Sequence, residues 1–213
     1  MIALNHVRPQ PLIPNGIDPN SEIWDCECTF EKGKKYLVRA PSGKGKSTFI
    51  HLIYGIRQDY EGTLHLEKQD IRQKSNEEWS AIRRDQFSIV FQDLRLFPQL
   101  SAFENIQLNA QLNPNTSDEQ IREMAKTLGV SHLLDQKAST LSYGQQQRMA
   151  IIRALSQPFD FLLLDEPFSH LDEENTRLAC QLIEKELQSQ NAGLILVSLG
   201  ETYGINYDHE LIL

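Results

Sequence analysis

The sequence is poor in cysteine and has no long apolar run. Its 213 residues include only Cys26, Cys28 and Cys180. This odd number argues against a disulfide framework and suits a reducing cytosol. The spacing of Cys26 and Cys28 on a strand favours small apolar fillers on one face over metal ligands. No stretch approaches the about 20 apolar residues that cross a bilayer, and the N-terminal stretch lacks the pattern of a signal peptide.

Basic residues are also scarce. Lysine and arginine number 21 against 29 aspartates and glutamates, which gives a net charge of -8. Because bulk nucleic-acid binders are usually basic, we expect no nucleic acid among the partners. With 40% apolar residues, the chain is globular and long enough for one large domain, or for a core with a subdomain.

Short apolar strands alternate with helical patterns, and this indicates a parallel sheet. The stretches "KYLVRA", "FLLLD" and "AGLILVSL" read as buried strands, whereas "KSTFIHLIYG" and "GQQQRMAIIRAL" read as helices. Alternation of this kind is typical of α/β folds.

A polar, helical segment interrupts this pattern. In "SDEQIREMAKTLGV", Ser117 and Gln120 have the spacing of a capping box. We therefore predict an α/β fold in three parts. Residues 1–92 form an N-terminal antiparallel β subdomain and the first part of a core, 93–140 form an inserted helical subdomain, and 141–213 complete the core.

The loop after "KYLVR" predicts a phosphate site. It fits the pattern G-x-x-x-x-G-K-[ST], except that Ala40 replaces the first glycine. Alanine is tolerable there if its φ is negative, and a chance basic turn is the alternative. Backbone N–H groups would wrap a phosphate, Lys46 would contact the β- and γ-phosphates, and the Ser47 hydroxyl would bind Mg²⁺. The residues predicted to bind ATP are Pro41, Ser42, Gly43, Lys44, Gly45, Lys46, Ser47 and Thr48.

An acidic pair supplies the second half of a nucleotide site. Asp165 and Glu166 follow the four apolar residues of "FLLL". Sites in open α/β sheets form where strands end. Asp165 would hold Mg²⁺ through water, and Glu166 would be the general base for an attacking water. Two solvated carboxylates in a turn are the alternative. The pair and the loop together predict a P-loop NTPase core.

Further motifs follow in a fixed order along nearly the whole chain. The stretch "LSYGQQQR" resembles the LSGGQ signature of ABC-type ATPases, Gln92 in "VFQD" is similar to that family's glutamine loop, and "SHLD" resembles its D-loop. The sequence looks most like small ATP-binding subunits of the lipoprotein-release, macrolide-export and cell-division group.

The resemblance implies an ATP-hydrolysing subunit of a membrane transporter. Two chains, identical or different, would sandwich two ATP molecules. Gln92 would join Lys46 and Glu166 as a catalytic residue and touch Mg²⁺, and Asp172 would communicate across the dimer. The "LFP" region would form a groove for a transmembrane permease subunit, which places the chain in the cytoplasm, on the inner face of the membrane. The signature residues that face the opposite subunit's ATP would be Ser142, Tyr143, Gly144 and Gln145.

Three departures from the family pattern qualify this prediction. Tyr143 replaces the first signature glycine. No aromatic residue precedes Trp24, whereas the family places an adenine-stacking tyrosine near Gln10, so ATP affinity is expected to be weaker. Leu199 stands where the family has a histidine. Loss of one such transition-state donor slows a reaction roughly a hundredfold to a thousandfold, which predicts slow hydrolysis.

Other readings of the same sequence stay open at this point. His170 or His209 could replace the missing histidine contact, although each reads as an ordinary surface residue. The protein could also be an ATP-gated scaffold with vestigial hydrolysis. A DNA-repair or chromosome ATPase with a similar head is disfavoured, because no sustained heptad run is present.

Overall fold

The strands form two sheets. The computed structural model describes residues 1–112 and 116–213; residues 113–115, which belong to the predicted helical segment, lie outside the described part. The strands are β1 (Ile2–Pro9), β2 (Glu27–Phe30), β3 (Lys35–Arg39), β4 (Tyr60–Leu66), β5 (Gln69–Asp70), β6 (Phe87–Val90), β7 (Phe161–Asp165), β8 (Gly193–Ser198) and β9 (His209–Ile212). One sheet is antiparallel with the order β2-β1-β4-β5. The fold class, α/β with a parallel and an N-terminal antiparallel sheet, is as the sequence predicts.

The second sheet is parallel and determines where a site can form. Its order is β6-β7-β8-β3-β9, and every pairing in it is parallel. Strand β8 lies between β3 and β7, so that Val197 pairs with both Val38 and Asp165. The carboxyl ends of β3, β7 and β8 therefore lie side by side at one edge of the sheet.

Helices cover the parallel sheet and begin at well-formed caps. They are α1 (Lys46–Ile53), α2 (Asn76–Asp85), α3 (Ala102–Ala110), α4 (Asp118–Thr127), α5 (Tyr143–Leu155) and α6 (Glu173–Gln190). The predicted capping box of Ser117 and Gln120 is confirmed at the start of α4. Within the described residues, no helix is both long and apolar enough to cross a membrane.

The apolar core lies on both faces of the parallel sheet. Alternate residues of β7 point to opposite faces, as the period of a strand requires. Leu162 and Leu164 join a cluster with α3 to α6, whereas Phe161 and Leu163 join a cluster with α1 and the antiparallel sheet. Burial on both faces explains why β7 and β8 are almost uninterrupted apolar runs.

The two neighbouring cysteines differ in position from the prediction. Asp25 has a left-handed backbone with a φ of 57°, so the chain turns and Cys26 lies before β2 rather than on its face. The Cys26 thiol donates to the carbonyl of Ser21. Cys28 lies on β2 and packs against the core, and burial raises its pKa to about 12. Only Cys28 thus fills a strand face.

Candidate nucleotide site

Three strand ends form the floor of the site. The N–H of Ala40, just after β3, donates to the carbonyl of Ser198 at 3.2 Å, and the N–H of Glu166 donates to the carbonyl of Val197 at 3.0 Å. The loops that leave β3 and β7 are thereby fixed on either side of the end of β8. The predicted phosphate loop and the predicted acidic pair lie next to each other as a result.

The phosphate loop leads directly into α1. Gly45 caps this helix with a φ of 97°. This left-handed φ favours glycine, and a Cβ on Gly45 would lie 2.7 Å from Cδ1 of Leu12. The cap makes no side-chain hydrogen bond, which leaves the first-turn N–H groups free of a side-chain acceptor and directed at any bound anion. Ala40 is not among the described residues with a positive φ, which meets the condition set for alanine there.

Lys46 and Glu166 meet at the centre of the site. The Lys46 Nζ lies 3.1 Å from Oε1 of Glu166, and their side chains are 8% and 16% exposed. The same ammonium donates to the carbonyl of Ala40 at 3.2 Å. Glu166 has a left-handed backbone with a φ of 49°. Such a conformation is uncommon outside glycine and recurs at functional sites.

Ser47, Gln92 and Asp165 are among the residues that line an adjacent cavity of ≈ 430 Å³. The Ser47 hydroxyl donates to Oε1 of Gln92 at 3.4 Å. Asp165 is 1% exposed, and its Oδ1 is buried without a hydrogen-bond partner. Burial raises the pKa of Asp165, the neighbouring Glu166 raises it further, and hydrogen bonding with Ser47 partly opposes this rise. An unpartnered buried carboxylate oxygen beside a hydroxyl and an amide oxygen suits a hard cation.

The signature-like segment begins α5 as predicted. Ser142 caps the helix, accepting from the N–H of Gln145, whose side chain accepts in return from the N–H of Ser142. Gly144 lies so close to the chain at His170 that a Cβ would be 2.7 Å from that carbonyl oxygen. Tyr143, which lies between Ser142 and Gly144 in the sequence, donates a hydrogen bond from its hydroxyl to the carbonyl of Gln92 at 2.8 Å.

The D-loop residue has a local role in the fold. Asp172 caps α6 and accepts from the N–H of Asn175 at 2.8 Å. In the described part of the chain, no hydrogen bond or ion pair joins Ser142 or Asp172 to the phosphate loop of the same chain. The structure thus divides the predicted site residues into two groups. One surrounds Lys46 and the other contains the starts of α5 and α6, and the Tyr143 hydroxyl joins the second group to Gln92 of the first.

The residue that directly follows β8 is apolar. Leu199 is 63% exposed and directly follows the strand that lies between the phosphate loop and the acidic pair. The Ser198 hydroxyl accepts from the N–H of Gly200 and donates to the carbonyl of Glu201, both at 3.1 Å. The turn is therefore well ordered, and the side chain it presents at this edge cannot form a hydrogen bond.

The two alternative histidines occupy different places. His170 lies beside the start of α5, where its ring is 4.3 Å from the ring of Tyr143. His209 begins β9 and pairs with Tyr36, near the start of β3. Since β3 and β9 are parallel, His209 lies towards the opposite edge of the sheet from the phosphate loop, so its proposed contact with a γ-phosphate is wrong.

The region where the family's stacking residue is missing is lined by aliphatic side chains and by Trp24. Gln10 is exposed just beyond β1, and its N–H donates to the carbonyl of Asp59. Next to the phosphate loop lies a cavity of ≈ 230 Å³, whose lining includes Leu12 and Ile17 as well as Ser42. The walls of this cavity are therefore aliphatic and, at Trp24, aromatic.

One supporting residue was not identified from the sequence. Gln147 is 1% exposed, and its side chain donates to the carbonyl of Glu166 at 3.3 Å and accepts from the N–H of His170 at 3.2 Å. It thereby fixes the chain after β7 at two points. The sequence could have indicated this role, because Gln147 lies on the same buried face of α5 as Ala150 and Ile151, where a polar residue needs a hydrogen-bond partner.

Comparisons with known sequences agree with this geometry. The sequence pattern of the family described as "ABC transporter" matches residues 23–169. The chain is 33% identical to the molybdate/tungstate import ATP-binding protein WtpC of Thermococcus kodakarensis over 201 residues, which cover 89% of this chain and 59% of WtpC. It is 31% identical to the lipoprotein-releasing system ATP-binding protein LolD 1 of Chlorobium chlorochromatii, covering 85% of this chain and 75% of that protein. The chain spans about half the length of several curated relatives that it matches.

A solved structure has the same fold. The dimeric structure of the bacterial ABC transporter cassette MJ0796 matches with a TM-score of 0.82 at 26% identity, covering 100% of this chain and 94% of that one. The same cassette in a post-hydrolysis state bound to ADP and Pi matches with a TM-score of 0.78 at 27% identity, covering 94% of this chain and 88% of that one.

Proposed function

We propose, from the premise that this chain belongs to the ABC transporter family, that it binds and hydrolyses Mg²⁺–ATP and drives a separate membrane partner. The observation that carries this proposal is the convergence of Lys46, Ser47, Gln92, Asp165 and Glu166 at one edge of the parallel sheet. In this arrangement, the buried ammonium of Lys46, a candidate metal site and the Glu166 carboxylate surround one position for a triphosphate.

The phosphate loop would hold the β- and γ-phosphates. The N–H groups from Ser42 to Ser47 and the N-terminal end of α1 supply donors and a positive dipole. The buried ammonium of Lys46, which forms an ion pair with Glu166, would contact the terminal phosphates. The match to a cassette bound to ADP and Pi supports this assignment.

The unpartnered oxygen of Asp165 supports a magnesium site. Ser47 and Gln92 would bind the ion directly, and Asp165 would hold it through water. When bound, Mg²⁺ would bridge phosphate oxygens and neutralise charge that develops on them.

Glu166 is our candidate for the general base. Its carboxylate lies at the end of β7, directly beside the ammonium that would hold the phosphates. The left-handed backbone at Glu166 and the bond from Gln147 to its carbonyl fix this position. A carboxylate so placed would accept a proton from a water that attacks the γ-phosphate.

The second group of site residues supports a dimer. Ser142 and Gly144 begin α5, whose first N–H groups suit an anion. Because this segment makes no bond to the phosphate loop of its own chain within the described residues, it would face the ATP held by another copy or a related subunit. Asp172, at the start of α6, would lie along the same interface. The dimeric form of MJ0796 supports this arrangement.

An exposed apolar residue supports docking of a transmembrane permease subunit. Phe97, in the "LFP" stretch, is 56% exposed. The buried side chain of Asn105 accepts from the Phe97 N–H at 2.7 Å and donates to its carbonyl at 3.0 Å, which fixes the residue in place. A fixed, exposed aromatic ring is a typical binding anchor. The chain would then lie on the cytoplasmic face of a membrane.

The exposed Leu199 favours a second candidate function, an ATP-gated scaffold with vestigial hydrolysis. Glu166→Gln discriminates between the two. In a hydrolytic enzyme, this variant should form a stable dimer with Mg²⁺–ATP, measured by light scattering, whereas the wild type returns to monomer as ATP is consumed. If both proteins dimerise equally and persistently, the scaffold is correct. If neither binds ATP, both candidates fail.

A further inference from the structure

The residue that departs from the signature pattern makes a contact within its own chain. Tyr143 is the first residue of α5, and its hydroxyl donates to the carbonyl of Gln92 at 2.8 Å. Its ring lies 4.3 Å from the ring of His170 and lines the cavity that contains Ser47 and Asp165. A glycine at this position could make neither contact.

The other end of α5 holds the same loop. Arg153 is 8% exposed, and its guanidinium donates to the carbonyls of Leu94 at 2.6 Å and Arg95 at 2.7 Å. Both acceptor residues have left-handed backbones, with φ values of 58° and 47°. Two consecutive residues in this conformation persist only where their surroundings hold them. Residues 92–95, which we name the glutamine segment, are therefore attached to α5 at two points.

The attachment at Tyr143 lies closest to the candidate metal ligand. The side chain of Gln92 is 3.4 Å from the Ser47 hydroxyl, while its backbone carbonyl is held by Tyr143. The bond from Tyr143 thus restrains the backbone that carries the amide, whereas Arg153 restrains only the residues that follow.

We propose that Tyr143 is a positioning residue, whose hydroxyl ties the glutamine segment to α5 and so holds Gln92 beside Ser47 and Asp165. This inference rests on the proposed function, since it assigns Gln92 to a magnesium site. As a consequence, the start of α5, which would face the partner's nucleotide, and the metal ligand of the same chain move together.

The test is Tyr143→Phe, which removes the hydroxyl and retains the ring. Tyr207→Phe is the matched control, because the Tyr207 hydroxyl also donates to a backbone carbonyl, that of Thr202 at 3.1 Å. ATP binding is measured by calorimetry in EDTA and across a Mg²⁺ titration. We expect Y143F to change the affinity in EDTA less than the affinity in Mg²⁺. The Mg²⁺ concentration for half-maximal enhancement should rise about two- to tenfold, the range for one neutral hydrogen bond.

Amide hydrogen exchange without nucleotide tests the tether itself. The N–H groups of Leu94 and Arg95 donate to the carbonyls of Phe91 and Asp93, and their exchange should accelerate in Y143F but not in Y207F. Equal exchange and equal Mg²⁺ dependence in the two variants would overturn the proposal. Failure of the wild type to bind ATP would instead refute the proposed function, and the exchange measurement would still decide whether the tether exists.

Discussion

The ends of three neighbouring strands differ sharply in chemistry. Strand β3 leads into the phosphate loop with Lys46, and β7 ends in Asp165 and is followed by Glu166. Between them, β8 ends in a turn that presents the exposed Leu199. Two strand ends therefore carry charged groups that meet each other, and the middle one carries a side chain without any hydrogen-bonding capacity.

This contrast predicts different effects on nucleotide binding and on the rate of hydrolysis. In the proposed function, the groups that follow β3 and β7 would hold a triphosphate and a cation and polarise a water. A donor at the end of β8 would stabilise charge that develops in the transition state, and it would add little to binding of the ground state. We therefore expect a protein with a complete binding site and a slow chemical step.

The largest effect should come from the charged side. Lys46→Ala removes the buried ammonium, and we expect Mg²⁺–ATP affinity to fall by at least roughly a hundredfold, because charged hydrogen bonds contribute about 1.5–3 kcal/mol each. Lys44→Ala provides the comparison. Lys44 lies in the same loop but is half-exposed and 3.8 Å from Asp18, so its loss should be several-fold at most. Calorimetry measures both, and similar losses would show that Lys46 has no special role.

Substitution of Leu199, which follows the middle strand β8, with histidine should have the opposite effect and increase activity. Leu199→His introduces a donor between the two charged loops, and we expect steady-state ATP turnover to rise at least roughly tenfold, out of the hundredfold to thousandfold that one donor can contribute. Leu199→Ala is the control, because it removes the same side chain without adding a donor, and its turnover should equal that of the wild type. A wild type that is already fast, together with no gain in the histidine variant, would end the idea of a slow chemical step.

The charged strand ends could be predicted from the sequence because their signals are local. The phosphate-loop pattern lies between a strand and a helix, and Asp165 follows four apolar residues. The capping box of Ser117 with Gln120 joins residues only three positions apart, and it too is local. The overall α/β class follows from the alternation of such segments.

The remaining features depend on packing between distant segments. The position of β8 between β3 and β7 follows from strand order, which no single stretch encodes. The contacts of Gln147 with Glu166, and of Tyr143 with Gln92, join residues 19 and 51 positions apart. The left-handed backbone at Leu94 cannot be predicted from the sequence, because the residue is not a glycine. These features are where tertiary contacts override local preference.

The smallest expected effect concerns the stability that the fold loses because the Asp165 carboxylate is buried. Burial raises the pKa of Asp165, so the folded chain binds more protons than the unfolded chain between the ordinary and the raised pKa. Stability from this group therefore falls as pH rises through that interval, and it stays lower above it.

Asp165→Asn removes the penalty, and without Mg²⁺ at neutral pH we expect the free energy of unfolding to rise by about 1 kcal/mol, or the Tm by roughly 2–4 °C for this chain length. Urea denaturation from acidic to neutral pH measures the difference between variant and wild type. That difference should shrink below the ordinary carboxyl pKa and reverse when Mg²⁺–ATP is added, because the wild type would bind it more tightly. A variant that is less stable than the wild type at every pH would show that the Asp165 carboxylate is well accommodated without a cation, and that its unpartnered oxygen marks no metal site.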